Sequence, residues 1–339
     1  MIILIILFLA LGFIGLYFGA KIVVIGLENI SNRLHLSHLV VGLTILAIGT
    51  SLPEIAISIA GGFDKLYGIS PNIDGIVIGN IIGSFLTNLT LILGILGISQ
   101  KIFVSKWELR REGTMLFISI IIFLFFAIDG LLTQLEALLM MISYSIYLIF
   151  IIWSEKRIEK KEIEFACSER ERLDPHCFET VDYAIKTKSM KSDIGIFIIG
   201  LIILIIAAEI TVLSAHSIAM ELNIPENVIG ILIVGLGTSL PELVADLTAL
   251  RRESHGIAVG DILGSNICDI LIATGAGSII SEFSVPSVIL YFDIPMLLIA
   301  TSIVCYFLWS ERELKRWEAV FLIGFYGFYA LLKVLFFQI

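Results

Sequence analysis

Between Met1 and Leu27 the chain carries a single charged side chain, Lys21, and charge-poor runs of this kind recur from end to end. A helix needs about 20 apolar residues to cross a hydrocarbon core of about 30 Å, and most of these runs are long enough. In lipid every backbone N–H and C=O must be satisfied inside the segment, so a spanning run is either a helix or a barrel strand. Barrel strands alternate apolar and polar residues, and these runs do not. With 58% hydrophobic and only 16% charged residues, a soluble chain of 339 residues would lack polar surface. The fold class is therefore an all-α integral membrane protein. The first run has no basic residue before it and outlasts a signal sequence, so it is read as a retained helix.

Ten transmembrane helices are expected, at about 2–27, 37–61, 72–97, 112–129, 132–153, 193–219, 225–250, 256–280, 285–309 and 316–337. Lysine and arginine test this parse independently. Arg33, then Lys101 to Arg111, then a large group in 154–192, then Arg251 and Arg252, then Arg312 to Arg316 all fall in alternate loops. The opposite loops hold Lys65 and almost nothing else. The positive-inside rule places both termini outside and the 154–192 loop in the cytoplasm. That loop is a solvated connector with some helix near Glu155–Glu164.

The net charge of −9 lies largely in that loop, and no basic stripe suggests nucleic acid as a partner. Cys167 and Cys177 fall in the loop and Cys268 and Cys305 in membrane segments, so disulfides are not expected. The spacing of Cys167, His176 and Cys177 fits no zinc pattern.

The chain also repeats itself. Residues 40–54 read VVGLTILAIGTSLPE and residues 228–242 read VIGILIVGLGTSLPE, an offset of 188. GNIIGSFLTN at 79–88 matches GDILGSNICD at 260–269, an offset of 181. Each half, 1–153 and 193–339, holds five spans. An odd number makes the second copy enter the membrane from the other side, which gives two inverted five-helix repeats. Secondary transporters use this architecture, with ions bound near the midplane.

The repeated residues carry chemistry. Glu54, Glu242 and Asp269 are acids inside apolar spans, where an ionisable group is a functional candidate by default. Thr50 with Glu54, Thr238 with Glu242, Ser84 with Asn88, and Ser265 with Asp269 are each four residues apart. Each pair thus shares a helix face. Pro53 and Pro241, as mid-helix prolines, are expected to displace the carbonyls of Gly49 and Gly237. An all-oxygen ligand set suits a hard cation such as Ca²⁺ or Na⁺.

GTSLPE in both halves, each followed by a G[N/D]xxGS segment ending in Asn88 or Asp269, resembles the sodium/calcium exchanger family. The likeness covers nearly the whole chain, with repeat motifs at 40–94 and 228–275. It implies an antiporter and no enzyme, with Ca²⁺ and Na⁺ as transported ions, no cofactor, a plasma-membrane location and action as a monomer. By the same likeness Glu54, Glu242, Asn88 and Asp269 form a central site. Flanking sodium sites would use Thr50, Ser84 and the Ala47 carbonyl, then Thr238, Ser265 and the Gly235 carbonyl. Ser51 and Ser239 match the second hydroxyl of each motif. The resemblance also implies that spans 1 and 6 slide across the rest as a gate.

The halves are not identical. Asp261 stands where the first half has Asn80; it is either a cation or proton ligand or a polar packing residue. Phe85 stands opposite Asn266. Lys21 and Glu209 match near the ends of spans 1 and 6. Proton-coupled relatives carry a glutamate where this chain has Gly83 and Gly264, which sets Ca²⁺/H⁺ antiport second. Potassium-dependent relatives also place Asp at the position of Asp269, which leaves K⁺ co-transport open. With no loop long enough for a large cytoplasmic calcium-sensing domain, regulation of the animal kind is not expected.

Overall fold

The computed structural model describes residues 2–34, 38–69, 73–104, 106–170, 190–221, 235–311 and 313–337. The chain is predominantly helical. Among the described residues, six helices are long and apolar enough to cross a membrane, and seven when one bent pair counts as a single span. Ile2–Leu34 runs 33 residues, about 50 Å at 1.5 Å per residue. The expected span 112–129 corresponds to the helix Lys106–Ala127, which starts earlier and ends two residues sooner and whose first turns carry Arg110, Arg111 and Glu112. The expected last span is the helix Arg316–Phe337. Of the expected span 225–250, only Gly235–Thr238 and Leu240–Arg251 fall within the described residues.

Two boundaries differ from the sequence expectation. The helix Gln134–Arg170 continues well past residue 153, so the connector begins as an extension of the fifth helix. Its polar residues Glu155 to Arg170 are good helix formers, and hydropathy marks where lipid ends, not where a helix does. The second expected span is not one rod. It breaks at Ser51 into a stretch ending in Ala47–Thr50 and the helix Leu52–Leu66, with a bend of 50°.

Burial separates the centre from the periphery. Over their most apolar 18 residues Val77–Ser99 and His255–Ser278 are 78% and 89% buried, whereas the other four helices apolar enough to span reach at most 39%. Those two are the axis of the bundle. Ile6, Phe18, Phe125, Ile149 and Tyr306 lie exposed on the outer helices, an apolar outer surface suited to lipid.

Ile2–Leu34 packs along Met190–Glu221 by backbone approach. A Cβ at Gly19 would come within 2.8 Å of the Leu204 nitrogen, and one at Gly26 equally close to that of Phe197. Small residues permit such close packing, which lipid does not drive hydrophobically. At one end of the pair Arg33 and Asn29 bind Asp193 at 2.5 and 3.2 Å. Nearby, Glu28 accepts from Arg252 at 2.5 Å and from the Ser254 hydroxyl at 2.7 Å.

Among the described residues four two-residue strands link the helix ends: β1 (Ile102–Phe103), β2 (Leu131–Leu132), β3 (Phe283–Ser284) and β4 (Glu313–Leu314). β1 pairs antiparallel with β4, and β2 with β3. Ile102 and Phe283 are 181 residues apart, and Leu131 and Glu313 are 182 apart, so each strand pairs across the halves with the neighbour of its own counterpart. The same offsets relate two buried clamps. Tyr147 donates to Glu112 at 2.5 Å beside Arg111, and Tyr329 donates to Asp293 at 2.7 Å beside Lys333, itself 2.9 Å from Asp293.

Candidate ion-binding site

Both GTSLPE motifs fold as broken helices. Ser51 (φ −73°, ψ 1°) separates Ala47–Thr50 from Leu52–Leu66, and Ser239 (φ −89°, ψ 6°) separates Gly235–Thr238 from Leu240–Arg251. Pro53 and Pro241 therefore sit in the first turn of a new helix rather than mid-helix. There their missing N–H costs nothing, because that turn has no intrahelical acceptor for it. Glu54 and Glu242 fall in the same first turns, where the helix dipole favours negative charge. Gly49 and Gly237 remain inside the short helices before each break.

The partner segments are irregular too. Asn88 lies in a π-helical turn, Thr87–Ile92, and Asp269 opens another, Asp269–Ala273. Single π-turns inside helices re-aim side chains and gather at functional sites. Behind them, the Thr87 hydroxyl is 3.4 Å from the Tyr326 hydroxyl, and Cys268 lies beside Tyr144, again at matching offsets.

These four segments converge on Ser84. Its hydroxyl lies 3.2 Å from Glu54 Oε1, 3.1 Å from Ser239 Oγ and 3.4 Å from Asp269 Oδ2. Ser51 lies against Asp269, and Thr238 against Glu54. Thr238 also donates to Asn80 Oδ1 at 3.3 Å, and its counterpart Thr50 donates to Asp261 Oδ1 at 3.1 Å. Asn88 Nδ2 is 3.5 Å from Ser265 Oγ. The Ala47 carbonyl accepts the Ser51 N–H at 3.1 Å and faces the Thr50 hydroxyl at 3.5 Å. Gly235 opens the short helix in the position that Ala47 holds in the other half. Lys21 is exposed, and the side chain of Glu209 and the motif residues 228–234 lie outside the described residues.

Glu54, Asn88, Glu242, Asp261 and Asp269 are all 0% exposed. Several of their oxygens have no donor among the described residues: one on Glu54, both on Glu242, one each on Asn88, Asp261 and Asp269. None of the ion pairs among the described residues includes these acids. Buried carboxylates without a countercharge are costly, so a cluster of them is organised for something positive. No three His, Cys, Asp or Glu side chains among the described residues crowd into one metal cluster. The candidate ligands are instead mixed, with carboxylates interleaved among hydroxyl and amide oxygens.

Asp246 escaped the sequence reading. It is fully buried, one turn beyond Glu242, and its carboxyl lies against that of Asp261. The offset of 188 maps it onto Ser58, and that comparison would have found it.

The model of the family described as sodium/calcium exchanger protein matches residues 4–153 and 192–335. The chain belongs to the sodium/calcium exchanger family. This is a family of ion exchangers and not of enzymes. The chain is 32% identical to the sodium/calcium exchanger MaX1 of Methanosarcina acetivorans, over 98% of each sequence. It is also 32% identical to the uncharacterized membrane protein MJ0091 of Methanocaldococcus jannaschii, over 93% of each. Among solved structures, the sodium-calcium exchanger NCX_Mj, soaked with Na⁺ and Sr²⁺, superposes with a TM-score of 0.77. Identity there is 30%, covering 98% of this chain and 99% of that one.

Proposed function

We propose that this exchanger is a secondary active antiporter that moves Ca²⁺ against Na⁺ by alternating access. The observation that carries the reading is the Ser84 junction, where Glu54, Ser239 and Asp269 from three other segments meet one hydroxyl in a sealed, oxygen-only cluster. Oxygen ligands of mixed charge suit hard cations. Glu54, Glu242, Asn88 and Asp269 bind calcium centrally. Thr50, Ser84 and the Ala47 carbonyl, with Thr238, Ser265 and the Gly235 carbonyl, bind sodium, and Ser51 and Ser239 complete the walls.

The proposed architecture is ten spans in two inverted repeats, 1–153 and 193–339, joined by a cytoplasmic connector at 154–192. The exchanged strand pairs β1–β4 and β2–β3, the twin π-turns and the twin tyrosine clamps support a two-fold relation between the halves. The termini lie outside the plasma membrane, and one chain suffices because it carries both halves of the site. Exchange needs no cofactor. A closed bundle supports exchange and not leak, because filled and sealed states cost less than a buried cluster of bare carboxylates. The halves then open the site to one side at a time.

Proton coupling through a glutamate at Gly264 is disfavoured by space, since a Cβ there would fall 2.6 Å from the Leu43 carbonyl. In reconstituted vesicles an outward sodium gradient should drive radiolabelled calcium uptake. Uptake driven equally well by a proton gradient without sodium would replace this reading with Ca²⁺/H⁺ antiport. A requirement for potassium alongside sodium would assign potassium-dependent exchange.

A further inference from the structure

We propose that Asp246 and Asp261 bind a divalent cation of their own, between the central oxygen cluster and the Arg251–Ser254 turn. The inference rests on the exchange reading for the ion being calcium, but not for the position of the site.

Asp246 and Asp261 are both 0% exposed, on the adjacent helices Leu240–Arg251 and His255–Cys268. Their carboxyl groups lie within hydrogen-bonding reach of each other, two facing acceptors that only a shared proton or a cation can reconcile. Among the described residues no other group donates to either oxygen of Asp246, and none donates to Asp261 Oδ2. Asp261 Oδ1 takes a hydrogen bond from Thr50, which comes from the other half. No lysine, arginine or histidine among the described residues pairs with either acid.

Two negative groups pressed together away from water repel strongly unless a positive charge lies between them. A divalent ion neutralises both, whereas a monovalent one leaves a net charge buried. Calcium is held by carboxylate, hydroxyl and carbonyl oxygens at about 2.3–2.6 Å, so carboxylates that share an ion stand close together. Two carboxylates and the Thr50 hydroxyl are the start of such a set.

The fold itself does not require acids here. At the matching offsets the first half has Ser58 and Asn80, both uncharged and both accommodated by the same helix pairing. The two extra charges are thus an addition to one half. They also lie in line. Asp246 is one turn beyond Glu242, and Asp261 one turn before Ser265, so both point the ligand row away from the centre towards Arg251–Ser254. An ion leaving Glu242 on that side meets these two acids next.

The test uses the purified full-length protein in detergent, with equilibrium dialysis of radiolabelled calcium and size-exclusion elution as the control for folding. Glu54→Gln with Asp269→Asn disables the central site. That variant should still bind calcium, one ion per chain and more weakly than the parent. Adding Asp246→Ser and Asp261→Asn, the residues the chain itself uses at 58 and 80, should remove this remaining binding. The inference fails if the centrally disabled variant binds no calcium, or if its binding survives the added pair of substitutions. Sodium-driven uptake by the unaltered protein is measured in parallel. Uptake without the residual binding overturns this inference alone; residual binding without uptake overturns the exchange reading and leaves the site standing.

Discussion

The two motif-bearing halves share a backbone plan and differ in where they put charge. At four matched places the first half has Ser58, Asn80, Asn88 and Gly83, and the second has Asp246, Asp261, Asp269 and Gly264. Three neutral side chains thus become three buried acids. Packing differs as well: a Cβ at Gly83 would meet nothing within 4 Å, whereas one at Gly264 would strike the second span's backbone. The lesson is that near-symmetry builds the enclosure, and departures from symmetry set its charge and its tightness. A site in which both halves carried the first half's residues would hold only Glu54 and Glu242 as its acids.

The sharpest attempt to break the comparison removes what the halves have in common. Glu54→Gln and Glu242→Gln should each reduce sodium-driven calcium uptake to background. Stripping one charged group from a buried set costs about 3 kcal/mol or more, which is roughly 100-fold or more in ion affinity. If one of the two variants transports normally, the halves do not contribute equivalent ligands.

Packing comes next. Gly264→Ala should lower stability by about 1–3 kcal/mol, as overpacking does, because the Leu43 backbone cannot withdraw like a side chain. Gly83→Ala should be neutral or stabilise by up to about 1 kcal/mol, the helical cost of glycine. Thermal unfolding in detergent compares them, and equal melting temperatures would erase the difference in tightness.

A charge exchange asks whether position or total charge matters. Asn88→Asp with Asp269→Asn keeps the number of acids but moves one across the site. Calcium affinity should fall about tenfold, or about 1.4 kcal/mol, as measured by uptake against calcium concentration. Unchanged affinity would show that only the sum of charges counts.

The smallest effect should come from the periphery. Glu28→Gln removes the pairing to Arg252, whose side chain is 35% exposed, and should cost about 0.2–1 kcal/mol, less in high salt. A loss as large as that of the buried acids would make this contact part of the site.

Much of the architecture was legible because its causes are local. Charge-poor runs mark helices wherever lipid forbids an unpaired backbone, and the helices Arg316–Phe337 and His255–Ser278 fall close to their expected limits. Ends were harder to read, since the helix Gln134–Arg170 outlasts its apolar part. The prolines were read correctly as interruptions but not as helix starts, a distinction made by the φ and ψ of Ser51 and Ser239.

By itself the sequence determined the helical class, the duplicated motif and the set of oxygen-bearing residues, because hydropathy, offset and four-residue spacing are properties of neighbours along the chain. Only the tertiary structure decided that Ser84 is the junction, that Asp246 faces Asp261, and that Gly264 has no room while Gly83 does. Those facts depend on segments 15 to 221 residues apart coming within a few ångströms, and no local pattern specifies such distances. They arise from how Val77–Ser99 and His255–Ser278 pack at the centre and carry the broken helices against them.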